Sequence, residues 1–236
     1  MNKEIINNEK MVMYSTDNLN FINQLIIERL NESLEYYCKL FDIESFRKVQ
    51  INIFDDKEEF KKYLINLRKI DNMPSYCTAT FDNGMVNVYL DPNMEKERID
   101  KKSKCASHEL FHIMYKELIW EKENRITWFD EGMAQFFSKE YERRLDEFNF
   151  NDWFNNLKNN TKIIPNLNKI SHGKTFETKD YSGYKLSLLA VKYLYDTLGE
   201  NEFKKLLHNN KEIISYGNTI VEDAFEYYEK GKKIKR

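Results

Sequence analysis

Histidine, cysteine, proline and glycine are all scarce in this sequence: four, three, three and seven among 236 residues. So few glycines and prolines argue against long flexible linkers and against a loop-rich all-β protein. The three cysteines, Cys38, Cys77 and Cys105, are odd in number and widely spaced, which suits reduced thiols rather than a disulfide framework. No apolar run approaches the roughly 18 residues of a membrane span. Residues 1–10 are polar and lack the apolar stretch of a secretory signal. Neither sign of charge dominates, because 37 basic residues meet 39 acidic ones for a net −2. That balance leaves no basic footprint for nucleic acid, and the basic end 231–236 reads as a solvated, frayed terminus. The expectations are therefore a cytoplasmic location, with neither membrane nor nucleic acid as a partner. The sequence is silent on oligomeric state.

What is present is a core's worth of apolar residues, 41% of the chain, arranged with clear periodicity. Leu19, Ile22, Leu25, Ile26, Leu30, Leu34 and Tyr37 recur at helical spacing over 19–41. Val49, Ile51 and Ile53 alternate with polar neighbours over 47–54, as a half-buried strand does. Asp56 is placed to cap a helix over 57–67. Two β-prone runs flank Asp82-Asn83-Gly84 within 76–90, and Asn-Gly is a strong tight-turn signal. From about residue 99 the periodicity is mostly helical, and Gly199 is placed to end a helix over 181–198. Strands first and helices after imply an α+β fold. A single domain is expected over 1–236. Its sheet should be small, antiparallel or mixed, within residues 1–98, and residues 99–236 should be helical.

Two of the four histidines stand in His108-Glu109-Leu110-Phe111-His112, inside one of the helical runs. Histidines four residues apart project from one helix face, so both imidazoles can reach the same metal ion. Glu109 is placed to act as a base toward water at that metal. Catalytic zinc commonly takes three protein ligands and keeps a fourth position open. A third candidate is Glu131, in Trp128-Phe129-Asp130-Glu131-Gly132-Met133-Ala134, after eighteen intervening residues. The small Gly132 and Ala134 would let its helix approach the motif helix closely. Gln135, one turn beyond Glu131, is equally readable as a support for that ligand or as a member of a polar face. Trp128, Phe129, Phe136 and Phe137 read as core, and Cys105 as a buried thiol.

The compound pattern resembles the gluzincin zinc metallopeptidases, and in particular the catalytic domain of aminopeptidase N-like (peptidase MA-like) proteins, with their HExxH-x18-E spacing and W-x-x-E-G-x-A neighbourhood. The resemblance implies a zincin, thermolysin-like architecture with HExxH on the central helix. It implies one zinc ion held by His108, His112 and Glu131, with Glu109 as general base. It extends to Tyr184, which precedes Gly199 by fifteen positions and looks like the tyrosine that donates to the oxyanion; Tyr181 and His172 are the other candidates. The implied activity is hydrolysis of a peptide or protein substrate.

Two departures bear on specificity. The family's G-x-M-E-N segment, whose glutamate binds a substrate's amino terminus, compares with Asn83-Gly84-Met85-Val86-Asn87, which lacks that glutamate. Its loss favours endopeptidase action, with the strand still able to pair with an extended substrate. Asp130 stands where the family usually has Asn. Two other readings stay open: a zinc-binding module of the same fold without turnover, serving binding or regulation, and a narrow protease of one partner protein.

Overall fold

The computed structural model describes residues 3–72, 78–120, 125–146, 149–171 and 175–234. By packing, the chain divides into two compact units, Met1–Glu117 and Leu118–Arg236.

The first unit is built on a five-stranded mixed sheet. Its strands are β1 (Lys3–Asn7), β2 (Met11–Ser15), β3 (Val49–Phe54), β4 (Ala79–Asp82) and β5 (Met85–Tyr89), in the order β1-β2-β3-β5-β4. β2, β3 and β5 run parallel, while β1 and β4 are antiparallel to their neighbours. The sequence reading missed β1 and β2, because β1 is largely exposed and carries no alternation. β2 buries Met11, Met13 and Ser15 on alternate positions, a pattern made by flexible rather than β-branched side chains. The β4–β5 turn is as expected. Asn83 (φ 48°) and Gly84 (φ 72°) both take positive φ, the geometry that makes Asn-Gly suited to a two-residue hairpin.

Alternation along the strands gives the sheet two faces. Asn52, Phe54, Asn87 and Tyr89 lie on one, under helix α2 (Lys57–Arg68) with Phe60 and Leu64 inward. Asp56 caps α2 by accepting from the backbone N–H groups of Glu58 and Glu59, each at 2.8 Å. Arg68, near the far end of α2, forks onto the Asp82 carboxylate of β4 at 2.6 and 2.9 Å. The opposite face carries Ile51, Ile53, Val86, Val88 and Phe81; α4 (Cys105–Tyr115) packs on it at β4 and β5, and α1 (Asn20–Leu40) packs against α4. The short helix α3 (Lys96–Ser103) leads into α4, and a π-helical turn, Lys116–Trp120, extends it. The motif helix therefore packs with the sheet, whereas the expected boundary at 98/99 grouped it with the later helices. Its buried Leu110, Phe111, Ile113 and Met114 are what the apolar sheet face requires as cover.

The second unit is helical: α5 (Thr127–Phe137), α6 (Glu142–Leu145), α7 (Phe150–Asn160), α8 (Gly183–Leu206), α9 (Asn210–Tyr216) and α10 (Ile220–Ile234). α5 packs along α8, and Phe129 and Phe137 both meet the Phe203 ring, each at 5.8 Å between centroids. Gly199 interrupts α8 with φ 75° and ψ 166°, at the position where a helix end was expected. α7 lies in a stretch for which no element was read; it buries Phe154 and Leu157, and Phe154 meets Phe225 and Tyr228 of α10. Among the described residues, no helix is long and apolar enough to cross a membrane.

Candidate metal centre

α4 carries His108, Glu109 and His112, and its neighbours hold it firmly. The Tyr37 hydroxyl donates to the Ser107 carbonyl at 3.2 Å, and the Tyr37 ring meets Phe111 edge-on at 5.2 Å. Burial is deep: His112 is 2% exposed and Glu109 8%. The Phe81 ring of β4 lies 5.1 Å from the His112 ring, so the edge strand also limits the imidazole's freedom. The consequence is a preset spacing. Nε2 of His108 and Nε2 of His112 stand 3.1 Å apart. Two nitrogens each about 2.05 Å from a tetrahedral zinc would be about 3.3 Å apart, so the pair fits such an ion with almost no adjustment.

Glu131 sits on α5, 5% exposed, next to a fully buried Asp130. Adjacent carboxylates in an apolar helix need a cation, and Arg125 supplies it. Its Nε donates to Asp130 Oδ2 at 2.7 Å and its Nη2 to Glu131 Oε1 at 2.8 Å. Burial works against the guanidinium's charge, but attraction by Asp130 and Glu131 overrides it and holds Arg125 above its ordinary pKa. Sequence alone does not single out Arg125. The available signal was the Asp-Glu pair inside an otherwise apolar run, which demands a nearby positive group.

Gln135 is buried, and its amide has two defined jobs. Nε2 donates to the Glu131 carbonyl and to the Tyr184 carbonyl, both at 3.0 Å. It thus ties the glutamate's own turn of α5 to the first turn of α8. Gly132 serves the same junction: a Cβ there would lie 2.6 Å from Val191 Cγ2 and 2.8 Å from the Ser187 carbonyl carbon. Its smallness, expected to accommodate the motif helix, therefore accommodates α8.

His108 and His112 belong to the first unit and Glu131 to the second. Tyr184 opens α8, its ring edge-on to Phe176 at 4.7 Å. Tyr181 donates its hydroxyl to the Thr175 carbonyl at 2.7 Å. His172 and Cys77 lie outside the described residues. Trp128, Phe129 and Phe137 are core residues, as is Cys105. The segment compared with G-x-M-E-N falls on the turn and on β5, which is paired on both sides, and Val86 is wholly buried. The strand at the sheet margin is β4, not β5, because the hairpin folds residues 79–82 outside it.

No known family profile matches the chain, and no curated protein matches it. Among solved structures it is similar to native yeast LTA4 hydrolase, with a TM-score of 0.53 and 13% identity. The similarity covers 99% of this chain and 37% of that one, so the chain spans little over a third of that protein's length. At this identity the likeness is one of fold: an α+β chain with one small mixed sheet.

Proposed function

We propose that this chain is a zinc-dependent metallopeptidase that cleaves peptide bonds internally. The observation that carries the proposal is the His108–His112 pair on one helix, Nε2 to Nε2 at 3.1 Å, a spacing that suits zinc; Glu131, after eighteen intervening residues, completes the donor set that the sequence resemblance implies. The fold's likeness to a protein named a hydrolase supports it.

His108, His112 and Glu131 would hold the ion. Bound zinc supplies a Lewis acid, polarising a carbonyl and lowering the pKa of water to about 7. Glu109, between the histidines in sequence and 8% exposed, takes the proton of the attacking water and delivers it to the leaving amine. Tyr184 donates its phenol hydrogen to the oxyanion as negative charge develops. An extended peptide can add to β4 by backbone hydrogen bonds. Val86, apolar and buried, offers no charge to a free amino terminus, which supports internal cleavage.

The test is zinc content together with cleavage of a peptide library, for wild type against Glu109→Gln. The proposal expects both proteins to carry zinc and only the wild type to cleave. Zinc without cleavage in the wild type would mean a binding module; a folded protein that takes up no zinc would overturn the proposal.

A further inference from the structure

We propose that Arg125 and Asp130 act as a pair to position Glu131, setting how strongly the metal is held. The inference rests on the reading of His108, His112 and Glu131 as the metal's ligands.

Asp130 places a second negative charge beside Glu131, and it is completely buried. A buried carboxylate without a partner is strongly unfavourable, and a second one next to it would raise the cost further. Arg125 answers both at once. Its Nε–H is directed to Asp130 Oδ2 and its Nη2–H to Glu131 Oε1, and Nη2 also lies 2.7 Å from Asp130 Oδ2. A planar guanidinium presents these donors in one rigid fork, so the position of Asp130 fixes the plane in which Glu131 Oε1 is held.

The pairing also keeps Glu131 a good ligand. An arginine alone on Glu131 would set an uncompensated positive charge beside a dication and weaken binding. Asp130 cancels it: the pair adds one charge of each sign, and Glu131 keeps its own negative charge for the ion. Partners of this kind, one shell out from a metal, typically change affinity about 10- to 100-fold when removed. A purely structural role, neutralising a buried acid, would need the charge of Arg125 but not its fork.

The experiment uses the full chain and zinc itself, with affinity measured by competition against a chromogenic chelator and folding followed by thermal unfolding of the metal-free protein. Arg125→Lys retains the charge but not the fork, and the expected result is zinc binding weaker by about 10-fold or more. The double variant Arg125→Met with Asp130→Asn removes both charges together. Glu131 then loses its guanidinium partner, so the metal-free double variant should unfold somewhat below wild type, while showing the same loss of affinity. Either variant binding zinc as tightly as wild type, or more tightly, overturns the proposal; should the double variant fail to fold, Arg125→Lys decides alone. Glu131→Gln separates the two levels of the argument. If wild type binds no zinc, or Glu131→Gln binds it undiminished, the metal-centre reading falls and this inference with it. If Glu131→Gln weakens binding while the Arg125 variants do not, only the positioning role falls.

Discussion

Gly132→Ala isolates one physical effect, the close approach of α5 to α8. The added methyl would lie 2.6 Å from Val191 Cγ2 and 2.8 Å from the Ser187 carbonyl carbon, where ordinary contact begins at 3.4 Å. Val191 can shift its side chain, but the Ser187 backbone cannot move without α8. The Ser187 carbonyl oxygen would lie nearer still, so the helices must separate by about an ångström, a gap that forfeits a quarter to a half of the dispersion energy of each contact it opens. Overpacking of this kind costs about 1–3 kcal/mol, and an immovable backbone obstacle places it near about 3 kcal/mol. The intrinsic helical preference for alanine over glycine offsets roughly 1 kcal/mol, leaving about 2 kcal/mol. For a chain of this size that corresponds to about 4–8 °C in the unfolding midpoint. Circular dichroism melts of Gly132→Ala against wild type read it directly. Gly231→Ala is the control, since a methyl there meets nothing within 4 Å on helix α10, and its midpoint should stay level or rise slightly. A Gly132→Ala protein as stable as wild type would refute the close-packing argument.

Gln135→Leu removes the donors serving the carbonyls of Glu131 and Tyr184 and should cost about 1–3 kcal/mol, read by urea unfolding. Asp56→Ala removes the cap of α2; a loss of about 1 kcal/mol is expected, with Asp56→Asn recovering most of it. Tyr37 is completely buried, and burial raises its phenol well above the ordinary value of 10.0. Its folded pKa exceeds its unfolded one, so stability is intact below about pH 10 and falls as pH rises beyond it. Tyr37→Phe should accordingly flatten the alkaline side of the stability–pH curve, and an unchanged slope there would contradict the assignment.

Features set by neighbours along the chain are legible in the amino-acid sequence. Asp56 at a helix start, Asn83-Gly84 between two strands and the 108–112 spacing each specify local geometry through backbone preference or helical period. Features that depend on distant partners are not. β1 is exposed and gains its place only by pairing with β2, so its residues carry no core signal. Gly132 announces a close approach but not which helix makes it. Arg125 carries no signal of its own, since nothing in its surroundings says that two acids on the following turns will be buried beside it. The candidate centre follows the same division: one helix fixes the histidine pair, whereas the support of Glu131 by Arg125 and Gln135 emerges only from packing.

The central claim is that His108, His112 and Glu131 hold one zinc ion. Anomalous diffraction at the zinc edge, from crystals of the zinc-loaded protein, tests it most directly. The account predicts a single strong peak about 2.0–2.2 Å from Nε2 of both histidines and from one Glu131 carboxylate oxygen. Zinc bound elsewhere, with no peak among these three side chains, would contradict it.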